Sequence, residues 1–396
     1  MGAIEKPLFG IIGDIRAFHD ELKAIRHDIH AHPETAFEEN RTSDLVANKL
    51  VGWGFEIHRG LAKTGVVGVL TNGTSNRKIG LRADMDALHI HEKNAFAHKS
   101  THDGKMHACG HDGHTTMLLG AAKHLASNRN FDGTVYFIFQ PAEENEGGAA
   151  AMIRDGLFDQ FPMRAVYGMH NWPGAPAGTF ALRAGPLMGA YDIFEIIGTG
   201  KGAHAAMPHN GRDPIVAASA LVQALQTIVS RNTHPVEAGV VSVTQFHGGD
   251  TWNVIPNEVV IRGTARAFKP EIQDLIARRM AEICDGIGAT YDCQVNCRYE
   301  RRYPPTINSA AEAELSRSVL VDLVGAEHVH TNETPTMGSE DFAVMLQSKP
   351  GCYIWIGNGA GESGCLLHNP GYDFNDEILP LGASYWVKLV ERLLPA

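Results

Sequence analysis

The sequence predicts an α/β protein: a mostly parallel sheet with helices on both faces, interrupted by an inserted α+β unit of ferredoxin-like order. Two observations carry this. Up to about residue 190, short apolar segments without polar alternation take turns with amphipathic ones, as strands buried on both faces and their covering helices must. From Gly189 the order becomes strand, helix, strand, strand, helix, strand, and after Pro304-Pro305 helices and one strand resume. The expected boundaries are 1–187 with 300–396 for the first domain and 188–299 for the insert. The connections near 187 and 300 are hinge candidates.

Each element follows from a local pattern. Ile12, Ile15, Phe18, Leu22, Ile25 and Ile29 have helical spacing over 11–31, and Pro33 closes the run. Residues 42–53 form a second helix ended by Gly52 and Gly54. Strands are predicted over 65–70, 78–82, 133–139 and 165–169, with helices over 113–127 and 149–158 between them. The insert reads as strands 191–197, 239–246, 258–267 and 291–299 with helices 213–230 and 270–287. Helices 310–324, 339–347 and 376–394 and a strand over 352–357 complete the first domain.

With 396 residues and 44% hydrophobic content the chain can bury a sizeable core. Its 34 Lys+Arg against 45 Asp+Glu leave a net charge of -11 without a basic stripe, which argues against nucleic acid or an anionic membrane as partner and favours a small molecule. The cysteines at 109, 284, 293, 297, 352 and 365 form no C-x-x-C pair and read as reduced thiols. Met1 to Lys6 lacks the pattern of an export signal, and no stretch approaches the length of a membrane span, so a cytoplasmic location is expected.

The densest chemistry lies in His107-Ala108-Cys109-Gly110-His111-Asp112-Gly113-His114, with three imidazoles, a thiol and a carboxylate in eight residues. These groups bind borderline-soft divalent metals. A buried structural Cys109, or a Cys109 nucleophile with His111 as base, are the alternatives. Three further polar clusters fall where a strand should end: Asp84-Met85-Asp86, Glu143-Glu144 and His170-Asn171. In open α/β sheets, chemistry gathers at that edge. Adjacent Glu143 and Glu144 would point opposite ways along a strand, but the flanking Pro and Gly residues imply irregular backbone on which both reach one site. One can then bind metal while the other moves protons. Cys109, His111, Glu144, His170 and the late-loop His368 make five donors, one more than a closed single-zinc site needs and suited to two metals sharing a bridging group.

Taken together, Arg82 to Leu88, His107 to His114, Gln140 to Glu144, Gly168 to Asn171, Gly202 to His209, Asn253 to Pro256, Gly338 to Phe342 and Leu367 to Pro370 resemble the M20 family of metallopeptidases and amidohydrolases. The branch is that of hippurate hydrolases, N-acyl-amino-acid amidohydrolases and plant auxin-conjugate hydrolases, and the match runs the whole chain. The resemblance implies Cys109, His111, Glu144, His170 and His368 as ligands of two divalent ions per subunit, zinc or manganese, with cobalt or nickel also compatible. It implies Glu143 as the catalytic carboxylate, and His204 of the insert as a histidine that reaches a neighbouring subunit's site, the insert serving as lid and dimerisation domain of a homodimer. Asn253 and Arg266 look like residues that meet the substrate. Asp84 and Asp86 are assigned as orienters of the ligands, where much of the wider family has His-x-Asp. This chain departs from its relatives at His89 and His91. The implied activity is hydrolysis of an N-acyl amino acid to a carboxylic acid and a free amino acid. A dipeptidase, carboxypeptidase or N-acetyl-diaminopimelate-type deacetylase using the same site is the rival. A metal-binding scaffold without catalysis would have no need of a spare Glu143.

Overall fold

The computed structural model describes residues 10–144, 146–360 and 364–396. Met1 to Lys6, on which the reading of the N-terminus rests, lies outside the described residues. Contacts divide the chain into two compact units, Met1–Gly185 with Ile307–Thr334 and Asp341–Ala396, and Pro186–Thr306 with Pro335–Glu340.

The first unit holds an eight-stranded sheet. At its centre Gly133–Gln140, Lys78–Asp84, Ala165–Pro173 and Gly351–Gly359 lie side by side and all run parallel. These are the runs without polar alternation, and Gly133–Gln140 and Gly351–Gly359 are buried at every residue. The flanks differ from a purely parallel sheet. Gly65–Asn72 pairs antiparallel with Gly133–Gln140, and Glu56–Leu61 pairs antiparallel with Gly65–Asn72. On the other side Phe180–Ala181 runs antiparallel to Gly351–Gly359. The reason on the first flank is local: Gly60, Ala62 and Lys63 all take positive φ and fold the chain straight back, and so short a connection permits only a hairpin.

Helix His111–Ser127 is buried along nearly its whole length. It packs with helices His19–Ala31 and Leu379–Leu393 into one apolar core that includes Leu22, Met117, Leu118, Phe137, Tyr167 and Trp386. Gly113 lies at this junction, where a Cβ would stand 2.2 Å from the Phe374 ring. The first predicted helix is broken: Gly13–Ala17 and His19–Ala31 are separated by Phe18, whose backbone leaves the helical region.

The second unit is a four-stranded antiparallel sheet in the order Gly239–His247, Glu258–Ala267, Tyr191–Thr199, Gln294–Tyr303. Alternate residues of Tyr191–Thr199 are buried, the period-two signature of a sheet covered on one face. Helices Pro214–Thr227 and Pro270–Tyr291 cover that face, placing Leu221, Leu225, Ile276 and Met280 in one core with Phe194, Ile196, Val259 and Ile261. Asp213 starts the first of these helices by accepting from the main-chain N–H of Ile215, with Pro214 at its first position.

Candidate metal centre

The parallel strands deliver the predicted residues to one edge of the first unit. Asp84 ends Lys78–Asp84, Glu143 and Glu144 follow Gly133–Gln140, and His170 lies near the end of Ala165–Pro173. His111 opens helix His111–Ser127, and Gly110 before it takes φ +98°. That position also demands glycine for space, since a Cβ there would lie 2.2 Å from Asn171 Oδ1.

Hydrogen bonds set the direction of each donor. His170 Nδ1–H donates to the Asn171 carbonyl at 2.7 Å, which leaves Nε2 facing Cys109 Sγ at 3.4 Å. Asp86 Oδ1 stands 3.2 Å from His111 Nδ1 and accepts the Glu143 N–H at 3.0 Å, while Oδ2 accepts the Glu144 N–H at 2.9 Å. One carboxylate therefore fixes both the imidazole and the backbone of the acidic pair. Ala142, with φ +55°, donates its N–H to buried Glu39 at 2.9 Å and turns the chain out of the strand. This irregular backbone is what lets Glu143 and Glu144 serve one site. Glu143 is buried and accepts from the Asp341 N–H at 3.3 Å. Glu144 Oε1 lies 3.2 Å from His368 Nε2, and His368 is held at φ +63° by its N–H bond to the Ala108 carbonyl at 2.8 Å.

Three overlapping groups, Cys109 with His111 and His170, Cys109 with Glu144 and His368, and His111 with Glu143 and Glu144, each bring their donor atoms within 4.8 Å of one another. Sharing of Cys109, His111 and Glu144 between groups suits two neighbouring cations. Among the described residues, His111 Nε2 is buried without a hydrogen-bond partner, the state of an atom left for another ligand. The electrostatics agree. Burial works against a charge on His111, but Asp84 and Asp86 outweigh it and raise the imidazole to about 10. Burial, with Glu144, Glu143 and Asp84 around it, pushes the Cys109 thiol well up. Such a thiol is a poor free nucleophile, and the imidazole nitrogen facing it at 3.4 Å is Nε2 of His170.

Some contributors carried no sequence signal of their own role. Buried Arg82 donates to Asp84 at 2.7 Å, to Gln140 at 2.8 Å and to Asp341 at 3.0 Å, bracing the strand ends. His114 Nδ1 bonds Asp84 at 2.6 Å, and its Nε2 accepts the Asn171 N–H at 3.0 Å. A second buried network joins Arg26, His30 and Asp112. His89 and His91 are exposed, and His91 pairs with Asp103 at 2.9 Å.

The remaining predicted residues belong to the second unit. His204 is exposed and pairs in register with Val254, and the Asn253 carbonyl accepts the Ala205 N–H at 3.0 Å, so one short ribbon carries His204 and Asn253. Arg266 stacks on Tyr191 with its guanidinium 4.2 Å from the ring centroid. Its hydrogen bonds go to the Met337 carbonyl and the Ser339 hydroxyl, each at 3.3 Å.

A parallel α/β sheet with a Cys/His/Glu cluster at its strand ends, interrupted by a ferredoxin-like insert, defines a metallohydrolase architecture. The chain belongs to peptidase family M20/M25/M40, whose model matches residues 80–392. It is 42% identical to a hippurate hydrolase of Campylobacter jejuni over 97% of this chain and 99% of that one. It is 40% identical to the IAA-amino acid hydrolase ILR1-like 2 of Arabidopsis thaliana over 95% of this chain and 85% of that one. The crystal structure of the Bacillus subtilis YXEP protein, a dinuclear metal-binding peptidase of the M20 family, superposes with a TM-score of 0.83 at 34% identity, covering 96% of this chain and 99% of that one. No helix among the described residues is long and apolar enough to cross a membrane.

Proposed function

We propose that this chain is a metal-dependent amidohydrolase that cleaves the amide bond of N-acyl amino acids, releasing a carboxylic acid and a free amino acid. The observation that carries the reading is the Glu143–Glu144 pair, held by Asp86 against a cluster of one thiol and three imidazoles. Relatives that act on hippurate and on IAA-amino acid conjugates support it. Cys109, His111, Glu144, His170 and His368 would hold two divalent ions, zinc or manganese, with cobalt or nickel as alternatives. Bound there, such ions would supply Lewis acidity to the attacking water and the scissile carbonyl. Asp86 and Asp84 keep the imidazoles oriented. Glu143 takes the proton from the attacking water and delivers it to the leaving nitrogen. Its place beside Glu144, with its carboxylate buried, keeps bulk water from competing for that proton. His204 donates to the developing oxyanion in the site of a neighbouring subunit, which makes the homodimer the catalytic unit and residues 188–299 its lid and dimerisation domain. Arg266, stacked and bonded to neutral acceptors, offers a guanidinium to the substrate α-carboxylate, with Asn253 beside the substrate. The enzyme works in the cytoplasm.

Chelated protein reloaded separately with zinc, manganese, cobalt and nickel, then assayed on N-acyl amino acids and dipeptides, tests this. Hydrolysis of N-acyl amino acids that disappears with chelation and returns with metal is expected. Full activity in the chelated protein, or cleavage of dipeptides alone, overturns it.

A further inference from the structure

We propose that Arg26 is a positioning residue of the metal centre: its buried guanidinium sets the segment that carries His111 against the segments that carry His170 and His368. This rests on the two-ion reading above. Arg26 lies on helix His19–Ala31, is fully buried, and bonds three carboxylates at once. Its Nε donates to Asp376 at 2.8 Å, and its Nη1 donates to Asp373 at 2.8 Å and to Asp112 at 3.4 Å. His30, one turn further on, brings Nδ1 to the same Asp112 oxygen at 2.8 Å.

Two of these carboxylates adjoin ligand segments. Asp112 follows His111 in the first turn of helix His111–Ser127, so holding it fixes the rotation of the turn that aims the imidazole. Asp373 follows Tyr372, whose hydroxyl accepts from Asn171 Nδ2 at 2.5 Å, and the Asn171 carbonyl in turn takes the His170 N–H. The same hydroxyl would stand 2.8 Å from a Cβ on Gly110, the residue between Cys109 and His111. Tyr372 also donates its main-chain N–H to the carbonyl of Asn369, next to His368, at 2.9 Å. The third carboxylate differs. Asp376 precedes helix Leu379–Leu393, bonds Arg26 and His27, and adjoins none of the five proposed ligands in the chain. A planar fork spans all three carboxylates at fixed angles, which the point charge of a lysine ammonium does not. Without it Asp112 and Asp373 lose their counter-charge, and each must turn away or take up a proton and carry its neighbour with it.

The test uses the full-length protein, stripped of metal and reloaded with zinc or cobalt, and needs no substrate. Competition with a chromophoric chelator reads zinc affinity, visible absorption of the cobalt form reads the ligand geometry, and the urea midpoint reads stability. Arg26→Met and Arg26→Lys should weaken zinc binding about 10- to 100-fold, the range for losing a partner behind a ligand, and should shift the cobalt bands. Asp376→Asn is the control: it should lower the urea midpoint yet bind zinc within about twofold of wild type, with unshifted bands, because no ligand leans on it. If neither Arg26 variant folds, Asp373→Asn decides, since it keeps the shape and drops the charge: zinc binding weakened about tenfold supports the role, and unchanged binding overturns it. Folded Arg26 variants with wild-type affinity and bands overturn it too. So does a loss in Asp376→Asn as large as theirs, which would mark a general effect of stability. Wild-type protein that binds neither metal overturns the two-ion reading, and the role of Arg26 with it.

Discussion

Asp86 Oδ1 lies 3.2 Å from His111 Nδ1, and the same carboxylate accepts the N–H groups of Glu143 and Glu144. One side chain thus ties the orientation of an imidazole to the position of two carboxylates on a different strand end. Asp86→Ala should weaken metal binding about 10- to 100-fold, the usual effect of removing a partner behind a ligand. Competition against a chromophoric chelator measures it. Unchanged affinity would show that His111 and the acidic pair hold themselves.

Glu143 and Glu144 share that support but point to different tasks. Glu143→Gln should keep its metal and lose roughly 10²- to 10⁴-fold in kcat, the range for a lost general base. Glu144→Ala should lose metal as well. Metal analysis alongside single-substrate kinetics separates the two, and a metal-saturated Glu143→Gln enzyme with near-wild-type rate would remove Glu143 from the mechanism.

Cys109 is buried between His170 and Glu144, and it should behave as a protected ligand. Cys109→Ser should bind metal more weakly and lose activity in step with occupancy, since a hydroxyl is a poorer donor to a soft-accepting ion. Full occupancy with abolished turnover would instead favour a nucleophilic thiol.

His204 is exposed on its ribbon and far in sequence from every proposed ligand. Mixing inactive His204→Ala with inactive Glu143→Gln should restore activity, because a mixed dimer then holds one site with both groups intact. A tagged wild-type control must show that subunits exchange under the same conditions. Exchanged dimers that stay inactive would place His204 within its own subunit.

His30 is buried with Nδ1 2.8 Å from Asp112 and Nε2 3.2 Å from Glu92. Burial and nearby Arg26 oppose its charge, but the two carboxylates outweigh them and raise it to about 9. The folded value stands above the ordinary 6.5. Stability from this network is therefore fully present below about pH 6.5 and lost as pH rises through about 9, at a slope of at most roughly 1.4 kcal/mol for each pH unit in between. Urea midpoints of the full-length protein should fall across that window. In His30→Gln the fall should flatten, and a slope unchanged by the substitution would assign the effect elsewhere.

Much of this site could be read before the fold was known. Cys109, His111, Glu144 and His170 stand at predicted strand or helix ends, and chemistry at that edge of a parallel sheet follows from topology alone. The alternation of Tyr191–Thr199 and the unbroken apolar runs of the central strands separated a one-sided sheet from a two-sided one, because side-chain period records which faces meet water. Local chemistry determined which residues could bind a metal. Tertiary structure decided the rest. An apolar run does not encode the direction of its neighbour, so the antiparallel flank formed by Glu56–Leu61 and Gly65–Asn72 emerged only once the positive-φ turn between them was seen. The Arg82–Asp341 bond, the Trp172–Trp355 stack and the carboxylate of Asp86 beneath Glu143 join residues far apart in the chain. Such contacts depend on distances in space, which the spacing of residues along a chain does not contain.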